Sequence, residues 1–401
     1  MNRAELQQQA MQLFLNNKNI LLQWGTSVGK GYFGVKALSA LKPNKTLLLV
    51  AETAHKQNWK GEFINQKQQN LLSNCTIACY ASLKKFQNTE WDCIIMDECH
   101  HACSELRLNY LSTIKSKKVL ALSATMKQEH IAALESIFGD FKINKVNLQN
   151  AIDDDILPEP IIYLIPLELN KTINTEIIEE SWGNKNKRVT VYCSFKEAWT
   201  YRKNKKKFPN MNLVIACTQY QKYSYICEQF TYWQNYYMRN RNDRVKNMWL
   251  QWGSKRKVFL GSLKTAKVQS LVAKLEAKNK RFICFCTNIQ QASLLGGENA
   301  VHSKVSDVEA KIEAFNNKKI DSLFCCQMLT EGQNLKDIEA GIIAQLDGNE
   351  RSFVQKFGRV MRAKNPELYI FYYKGTRDEE FLNNAIQGID SKFIVNYENH
   401  T

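Results

Sequence analysis

A glycine-rich loop near the N-terminus contains residue types that bind phosphate. Two glycines and a lysine have the spacing G-x-x-x-G-K in the residues Gly25, Thr26, Ser27, Val28, Gly29 and Lys30, one residue shorter than the nucleotide-binding pattern G-x-x-x-x-G-K. Backbone N–H groups in such a loop bind phosphate oxygens, and the lysine pairs with the β- and γ-phosphates. The next residue is Gly31, where a Ser or Thr hydroxyl usually binds Mg²⁺. The pattern predicts a nucleotide-binding loop that lacks one direct Mg²⁺ ligand.

Two adjacent carboxylates follow an apolar run later in the chain. The segment CIIMDE ends in Asp97 and Glu98. The carboxyl end of a buried strand is where an α/β sheet binds its ligand. Asp97 can hold Mg²⁺, usually through water, and Glu98 can orient and deprotonate an attacking water. Together with the loop, the pair predicts hydrolysis of a nucleoside triphosphate.

Alternating strands and helices must position these groups. A helix is predicted over 4–17. Short apolar runs predict strands at 19–24, 45–52, 74–81, 91–98 and 117–125. This alternation favours a doubly wound parallel sheet, with the loop between a strand and a helix. A segment with three aspartates and three prolines, 150–170, predicts a boundary between an N-terminal domain, 1–155, and a C-terminal domain, 156–401, whose βα alternation resumes at about residue 280.

The charge balance indicates a polyanionic partner. The 401-residue chain has 55 Lys+Arg and 39 Asp+Glu, a formal net charge of +16, which favours nucleic acid before a membrane surface. Residues 185–257 contain 17 Lys/Arg and three Asp/Glu, are rich in Tyr and Trp, and have helical character from 219 to 251. Lysines and arginines there can bind phosphates, and aromatic rings can stack on exposed bases. The helically spaced aromatics are interpreted as packing residues: Tyr225, Tyr232, Trp233 and Tyr236.

Hydropathy and cysteine usage indicate a cytoplasmic protein. The chain has no run of eighteen apolar residues, so no membrane span is expected. The N-terminal segment lacks the apolar core of a signal peptide. Twelve cysteines are present without a metal-binding spacing, which predicts reduced thiols.

The segments around these residues form a known series of motifs. Lys30 in GTSVGKG, the stretch Asp97-Glu98-Cys99-His100 and the stretch Ser123-Ala124-Thr125 resemble motifs I, II and III of superfamily 2 helicases of the D-E-x-H class. LLLVAETAHKQNW is similar to motif Ia, although Ala51-Glu52 replaces the Pro-Thr or Pro-Ser often found there. RFICFCTN, MLTEGQNL and QKFGRVMR are similar to motifs IV, V and VI. The resemblance extends from about residue 3 to residue 380.

The resemblance implies two RecA-like doubly wound domains that bind ATP and Mg²⁺ in the cleft between them. The basic, aromatic-rich and partly helical segment 185–257 would be an insert in the second domain. Arg359 and Arg362 are implied as arginine fingers that stabilise charge on the transferring phosphoryl group. Gln355 would lie at the γ-phosphate or the attacking water. The residues implied in coupling the nucleotide state to domain closure are His100, Ser123 and Thr125.

The resemblance also implies contacts to the base, the ribose and the nucleic acid. Gln7 or Gln8, upstream of the loop, would recognise adenine. Gly332 would let the backbone approach the cleft, with Glu331 near the ribose or the domain interface. Motifs Ia, IV and V of this family contact the nucleic-acid strand, so Thr53, Thr287 and Thr330 are expected to do so. The positive charge of segment 185–257 adds a second expected set of contacts: Lys203, Lys205, Lys206 and Lys207.

A nucleic-acid-stimulated ATPase that acts as a helicase or translocase is therefore expected. DNA is favoured over RNA, with little sequence preference, and strand separation, branch remodelling and duplex translocation stay open. Gly31 leaves an ATP-binding nucleic-acid clamp with weak hydrolysis as an alternative. A motor subunit of a restriction or defence complex is a third hypothesis. Composition and length resemble the phage UvsW-like group, whose protein partners would belong to replication, repair or defence in a bacterial or phage-infected cell.

Overall fold

A computed structural model describes residues 2–326, 335–348 and 350–397 of the protein. These residues form two large parallel sheets flanked by helices, and a smaller third sheet. The predicted fold class of two parallel-sheet α/β domains is confirmed. Across these three ranges, no helix combines the length and the apolar character needed to cross a membrane.

The N-terminal sheet is built from the buried apolar runs of the first domain. Its strands are β1 (Asn19–Trp24), β2 (Thr46–Val50), β3 (Cys75–Cys79), β4 (Glu90–Asp97), β5 (Lys115–Ser123) and β6 (Lys142–Val146). They are parallel, in the order β3-β2-β4-β5-β1-β6. The flanking helices are α1 (Arg3–Asn16), α2 (Lys30–Leu41), α3 (Thr53–Asn65), α4 (Glu105–Leu111), α5 (Gln128–Phe138) and α6 (Leu148–Asp153). Helices on both faces explain why the middle strands are apolar along their length.

After α6, the chain enters the second large sheet with β7 (Ile161–Leu167) and then forms the third sheet. The elements of this smaller unit are β8 (Glu176–Trp182), β9 (Val189–Ser194), α7 (Phe195–Lys203) and β10 (Met211–Cys217). β10 is the middle strand, antiparallel to β8 and parallel to β9. The third sheet therefore begins nine residues before the predicted start of the insert at 185.

Two long helices follow the third sheet and form a hairpin. They are α8 (Gln219–Asn240) and α9 (Asp243–Leu263). The helical region thus extends beyond the predicted range of 219–251. The interpretation of Tyr232 and Tyr236 as packing residues is wrong, because their side chains are 58% and 43% exposed.

The remaining elements complete the C-terminal sheet. They are α10 (Thr265–Ala277), β11 (Phe282–Phe285), α11 (Ile289–Gly296), β12 (Ala300–Val301), α12 (Val308–Asn316), β13 (Ser322–Cys325), β14 (Ala340–Ile343), α13 (Glu350–Val360), β15 (Glu367–Tyr373), α14 (Arg377–Ile386) and β16 (Ile394–Asn396). The parallel strands have the order β12-β13-β11-β14-β15-β7-β16. Short 3₁₀ helices occur at Gln69–Asn74, Tyr80–Phe86, Cys99–Cys103, Lys185–Lys187, Gly297–Asn299 and Ser391–Phe393.

Candidate functional site

The predicted phosphate-binding loop connects β1 to α2. β1 is a buried strand between β5 and β6, and it brings the loop to the carboxyl edge of the sheet. Ser27 and Gly29 have positive φ angles of 69° and 109°, which turn the chain. A side chain at Gly29 would be strained, and its Cβ would lie 3.2 Å from Gln7 Nε2. α2 begins at Lys30, so the N–H groups of its first turn, which lack partners within the helix, can bind an anion at the loop.

Lys30 and the two predicted carboxylates converge at this edge. β4 lies between β2 and β5 and ends at Asp97. Glu98 follows in a left-handed conformation, with φ of 47°. Lys30 Nζ lies 3.9 Å from Glu98 Oε1 and donates a hydrogen bond to the Trp24 carbonyl at 3.0 Å. A cation and two carboxylates at one sheet edge suit a phosphate chain bound with a divalent cation.

The groups at this edge fit Mg²⁺, with one protein hydroxyl missing. Mg²⁺ prefers oxygen ligands and is usually held by one or two carboxylates together with substrate phosphates. Asp97 and Glu98 supply carboxylates, whereas Gly31 supplies no hydroxyl. A Cβ added at Gly31 would meet Glu62 Cγ at 3.9 Å, an ordinary contact distance. The position therefore has room for a Cβ.

Two buried aromatic residues that were not predicted from the sequence hold Asp97. Trp59, on α3, donates from Nε1 to Asp97 Oδ2 at 2.8 Å. Tyr80 donates its hydroxyl to the Asp97 carbonyl at 2.9 Å. Burial raises the pKa of Tyr80 well above its ordinary value, so the hydroxyl stays a donor. Because Asp97 Oδ1 accepts a hydrogen bond from the Glu98 N–H at 3.1 Å, both carboxylate oxygens have a protein donor.

The three residues implied in coupling lie together beside Glu98. His100 Nδ1 is 3.5 Å from Glu98 Oε2 and 3.3 Å from Ser123 Oγ. Ser123, the last residue of β5, donates to the Thr125 carbonyl at 2.9 Å. His100 and Ser123 are both buried. These contacts connect Glu98 to the end of the neighbouring strand.

α13 brings the C-terminal domain into direct contact with the loop. A Cβ at Gly358 would overlap the Thr26 side chain, which explains the glycine in QKFGRVMR. Ser27 Oγ donates to the Gly358 carbonyl at 2.6 Å and accepts from Arg362 Nε at 3.0 Å. Burial lowers the pKa of Arg362, and an anionic phosphate beside it would favour its charged form. The Ser27 hydroxyl is thus engaged with α13.

A cleft of about 660 Å³ lies at this contact between the domains. The residues predicted to be catalytic all line it: Lys30, Asp97, Glu98, Gln355, Arg359 and Arg362. The loop residues that line it are Thr26, Ser27, Gly29 and Gly31. Gln355 and Arg359 are buried at its wall. Further residues that were not predicted from the sequence also line the cleft, among them Arg3, His55, Trp59 and Glu62.

The two candidate adenine residues differ in position. Gln7 is buried and donates from Nε2 to the Gly29 carbonyl at 3.4 Å. Gln8, the next residue on α1, is exposed. Of the two glutamines, only Gln7 therefore touches the phosphate loop.

Gly25 and Val28 contact each other within the loop, and Val28 is fully buried.

The predicted nucleic-acid contacts lie in several places. Thr53 is exposed at the start of α3. Thr287 is 7% exposed and lies beneath the backbone of Gly261, so it does not reach the surface. The residues Thr330, Glu331 and Gly332 lie outside the described residues.

The predicted lysine cluster follows α7 on the third sheet. Its members are exposed: Lys203, Lys205, Lys206 and Lys207. Lys203 Nζ lies 3.7 Å from the ring centroid of Trp199, and Lys205 Nζ lies 5.0 Å from that of Trp182. The cluster is thus a surface where ammonium groups and aromatic rings alternate.

Two protein-family models match this chain, one in each domain. A model of the type III restriction enzyme res subunit matches residues 1–128, and a model of the helicase conserved C-terminal domain matches residues 263–364. These matches support a superfamily 2 helicase. Helicase domains of this type imply an ATPase that uses ATP with a divalent metal. A comparison with curated protein sequences gives no match.

Two solved structures share the fold of this chain. The helicase domain of Hef from Pyrococcus furiosus is 12% identical, with a TM-score of 0.50, and the alignment covers 94% of this chain and 97% of that one. The ATP-dependent type ISP restriction-modification enzyme LlaBIII, solved bound to DNA, is 13% identical with a TM-score of 0.54. The alignment covers 98% of this chain but 30% of that enzyme. At these identities the likeness shows the fold.

Proposed function

We propose that the protein is an ATP-dependent DNA helicase or translocase. One observation carries the proposal: a single cleft is lined by groups from both domains. The N-terminal domain contributes Lys30, Asp97 and Glu98, and the C-terminal domain contributes Gln355, Arg359 and Arg362. A phosphate-binding cation, a carboxylate pair and opposing arginines are the groups that phosphoryl transfer from ATP requires.

Each group has a role in the proposed hydrolysis. Lys30 and the first turn of α2 bind the phosphates, and Asp97 would hold Mg²⁺, which would neutralise phosphate charge. Glu98 accepts a proton from the attacking water. Arg359 and Arg362 stabilise the charge that develops on the transferring phosphoryl group. Because these arginines and Glu98 belong to different domains, hydrolysis requires a closed cleft, and loss of the γ-phosphate weakens closure.

Adenine recognition is assigned to Gln7 rather than Gln8. Gln7 contacts Gly29 in the loop, whereas Gln8 is exposed. The amide of Gln7 has both a donor and an acceptor, which suits an adenine edge. The coupling role of His100 and Ser123 is part of the same proposal, supported by their contact beside Glu98.

Cycles of cleft closure would move the two domains along a nucleic-acid strand. The lysine cluster of residues 203–207 and the exposed Thr53 are proposed phosphate contacts, which makes binding tolerant of sequence and dependent on salt. DNA is preferred to RNA because LlaBIII was solved bound to DNA. The D-E-x-H class and the UvsW-like subgroup remain part of this proposal.

The motor subunit of a restriction or defence complex is the second candidate. The match of residues 1–128 to the res subunit model favours it. Displacement of a third strand from a triplex would identify translocation along duplex DNA, whereas release of a strand from a fork would identify unwinding. Activity on forked and four-way substrates, in DNA and RNA forms, would show which nucleic-acid structure the protein acts on.

Steady-state ATP turnover with and without single-stranded DNA tests the proposal. We expect DNA to raise turnover, and Glu98→Gln to abolish it while nucleotide binding persists. Glu129→Gln serves as a control, because Glu129 is an exposed carboxylate on α5. If saturating DNA gives no turnover above that of Glu98→Gln, the protein is not a motor. ATP-dependent DNA binding without turnover would instead identify the clamp that Gly31 suggests.

A further inference from the structure

The α8–α9 hairpin is attached to the C-terminal domain by a closely packed base. Gly261, near the end of α9, lies so close to Thr287 that a Cβ there would overlap the threonine side chain. Its carbonyl accepts a hydrogen bond from Gln291 Nε2 at 2.9 Å. Farther along the hairpin, the rings of Tyr237 and Trp249 stack with centroids 5.6 Å apart. These contacts join the two helices and fix the direction of the hairpin.

The solvent-exposed side of α8 carries two aromatic rings, those of Tyr232 and Tyr236. Tyr232, Tyr236 and Arg239 have the spacing i, i+4, i+7, so they lie on one face of the helix. The two tyrosine rings are parallel within 2°, with centroids 6.3 Å apart. Trp233 meets both rings edge-on, at 85° and 87°. The tyrosines therefore present exposed rings in a supported arrangement.

The same end of the hairpin is basic. Its exposed cations are Arg239, Arg241, Arg244 and Lys246. Asp243 is the only acidic residue in the sequence from 229 to 275. In the part of the chain that the structure describes, none of the four cations forms an ion pair. Positive charge is thus concentrated beside the exposed rings.

We infer that the hairpin tip, formed by Tyr232, Tyr236, Arg239, Arg241 and Arg244, binds single-stranded nucleic acid. The inference rests on the proposed function and adds a binding surface outside the helicase motifs. Guanidinium groups bind phosphates, and exposed aromatic rings stack on unpaired bases. The bases of a duplex are stacked on one another, so a single strand matches the tyrosines better than a duplex does. Single-stranded DNA and single-stranded RNA both present phosphates and unpaired bases, so the hairpin tip could bind either.

The hairpin is also connected to the ATP cleft through one carboxylate. Asp347 forms ion pairs with Lys257 of α9 and with Lys356 of α13, the latter at 3.0 Å. Burial disfavours the charged form of Asp347, but the two lysines outweigh this effect and hold its pKa well below its ordinary value. α13 carries Gln355 and Arg359 into the cleft. A strand held at the hairpin tip is therefore bound to an element that is fixed to the arginine-bearing helix.

Fluorescence anisotropy with labelled oligo-dT, oligo-rU and duplex DNA tests the inference in the absence of ATP. In Tyr232→Ala/Tyr236→Ala, loss of stacking on one or two bases should weaken single-strand binding by about 10-fold or more. Duplex binding should change much less. Tyr232→Phe/Tyr236→Phe keeps the ring faces and should bind as the unmodified protein does. Comparison of oligo-dT with oligo-rU shows which strand the tip accepts.

A second variant tests the charges. Neutralising Arg239, Arg241 and Arg244 to Gln should reduce the slope of log affinity against log salt by about 2, from three lost phosphate contacts on a single strand. Lys267→Gln/Lys274→Gln/Lys278→Gln, on α10 and at its C-cap, is the matched control, because it removes three exposed cations elsewhere in the same domain. Thermal melting verifies that each variant folds.

Three outcomes would overturn the inference. The first is normal oligonucleotide binding by both tip variants, and the second is an equal loss in the α10 control. The third is a change of oligomeric state in the tip variants by light scattering, which would make the surface an interface between copies of the chain. If the unmodified protein binds oligonucleotides but shows no ATP turnover, the proposed motor function fails while the hairpin tip remains a binding surface.

Discussion

Replacement of Trp59 by Phe should weaken the binding of Mg²⁺ with nucleotide. The substitution removes the indole N–H that donates to Asp97 Oδ2 at 2.8 Å, while it keeps an aromatic ring in a site that is 4% exposed. The ring lies directly on Gly34, where a Cβ would overlap it, so α2 and α3 pack through this pair. Without the donor, Asp97 keeps the Glu98 N–H on Oδ1 but loses the hydrogen bond that holds Oδ2.

The size of this effect follows from the charge on the acceptor. A hydrogen bond to a charged group contributes about 1.5–3 kcal/mol, and about 1.4 kcal/mol corresponds to a factor of ten. Loss of a hydrogen-bond partner of a metal ligand typically costs about 10–100-fold in metal affinity. We therefore expect the half-saturating Mg²⁺ concentration to rise by about 10-fold or more. Turnover at saturating Mg²⁺ should stay close to its original value, because Glu98 and the arginines are unchanged.

Two measurements report this effect, and a second tryptophan supplies the control. Fluorescent ADP binding and ATP turnover are each titrated with Mg²⁺, so one readout does not depend on activity. Trp91→Phe is matched, since Trp91 is also buried and its Nε1 donates at 2.8 Å to Thr89 Oγ1, away from the cleft. Both variants lose ring volume and thermal stability. An equal Mg²⁺ shift in both, or no shift in Trp59→Phe, would show that the hydrogen bond does not position Asp97.

Two further predictions concern the phosphate loop and the C-terminal core. Gly31→Ser should lower the half-saturating Mg²⁺ concentration, because the position accepts a Cβ and the serine would add the missing hydroxyl. Gly31→Ala adds the Cβ alone and should leave that concentration unchanged, and Mg²⁺ titration of turnover distinguishes the two variants. Lys264→Met should destabilise the protein by about 3–5 kcal/mol, since it leaves Asp378 buried without the ammonium that lies 2.6 Å away. Thermal melting measures this loss of stability. The double variant Lys264→Met/Asp378→Asn should recover part of it. An unchanged melting midpoint in Lys264→Met would refute the argument.

The sequence predicts the parts of the site that are formed by residues close together along the chain. β1, the loop and α2 follow one another within residues 19–41, and β4 carries Asp97 to its own end. Apolar runs marked these strands because helices cover both faces of the sheet. β6 was not predicted because it is not an apolar run. Its sequence KINKV is polar and mostly exposed at the sheet edge.

Contacts between distant segments could not be predicted from one sequence. Trp59 and Asp97 are 38 positions apart, and they meet because Gly34 lets α3 approach α2. Helical spacing alone did not reveal which face of α8 packs on α9, so Tyr232 and Tyr236 were interpreted as packing residues. The face was set by the partner helix, whose Trp249 stacks on Tyr237.

The missing hydroxyl at Gly31 increases the importance of the contacts around Asp97. Ser27 in the loop also carries a hydroxyl, but this hydroxyl is engaged with Gly358 and Arg362 when the domains are in contact. With fewer protein ligands, the cation would depend more on the orientation of Asp97, whose Oδ2 accepts the hydrogen bond from Trp59. The Mg²⁺ shift caused by Trp59→Phe should therefore be smaller in a Gly31→Ser background, since a second ligand would share the cation. Additive shifts in this double-mutant cycle would show that the two positions act independently.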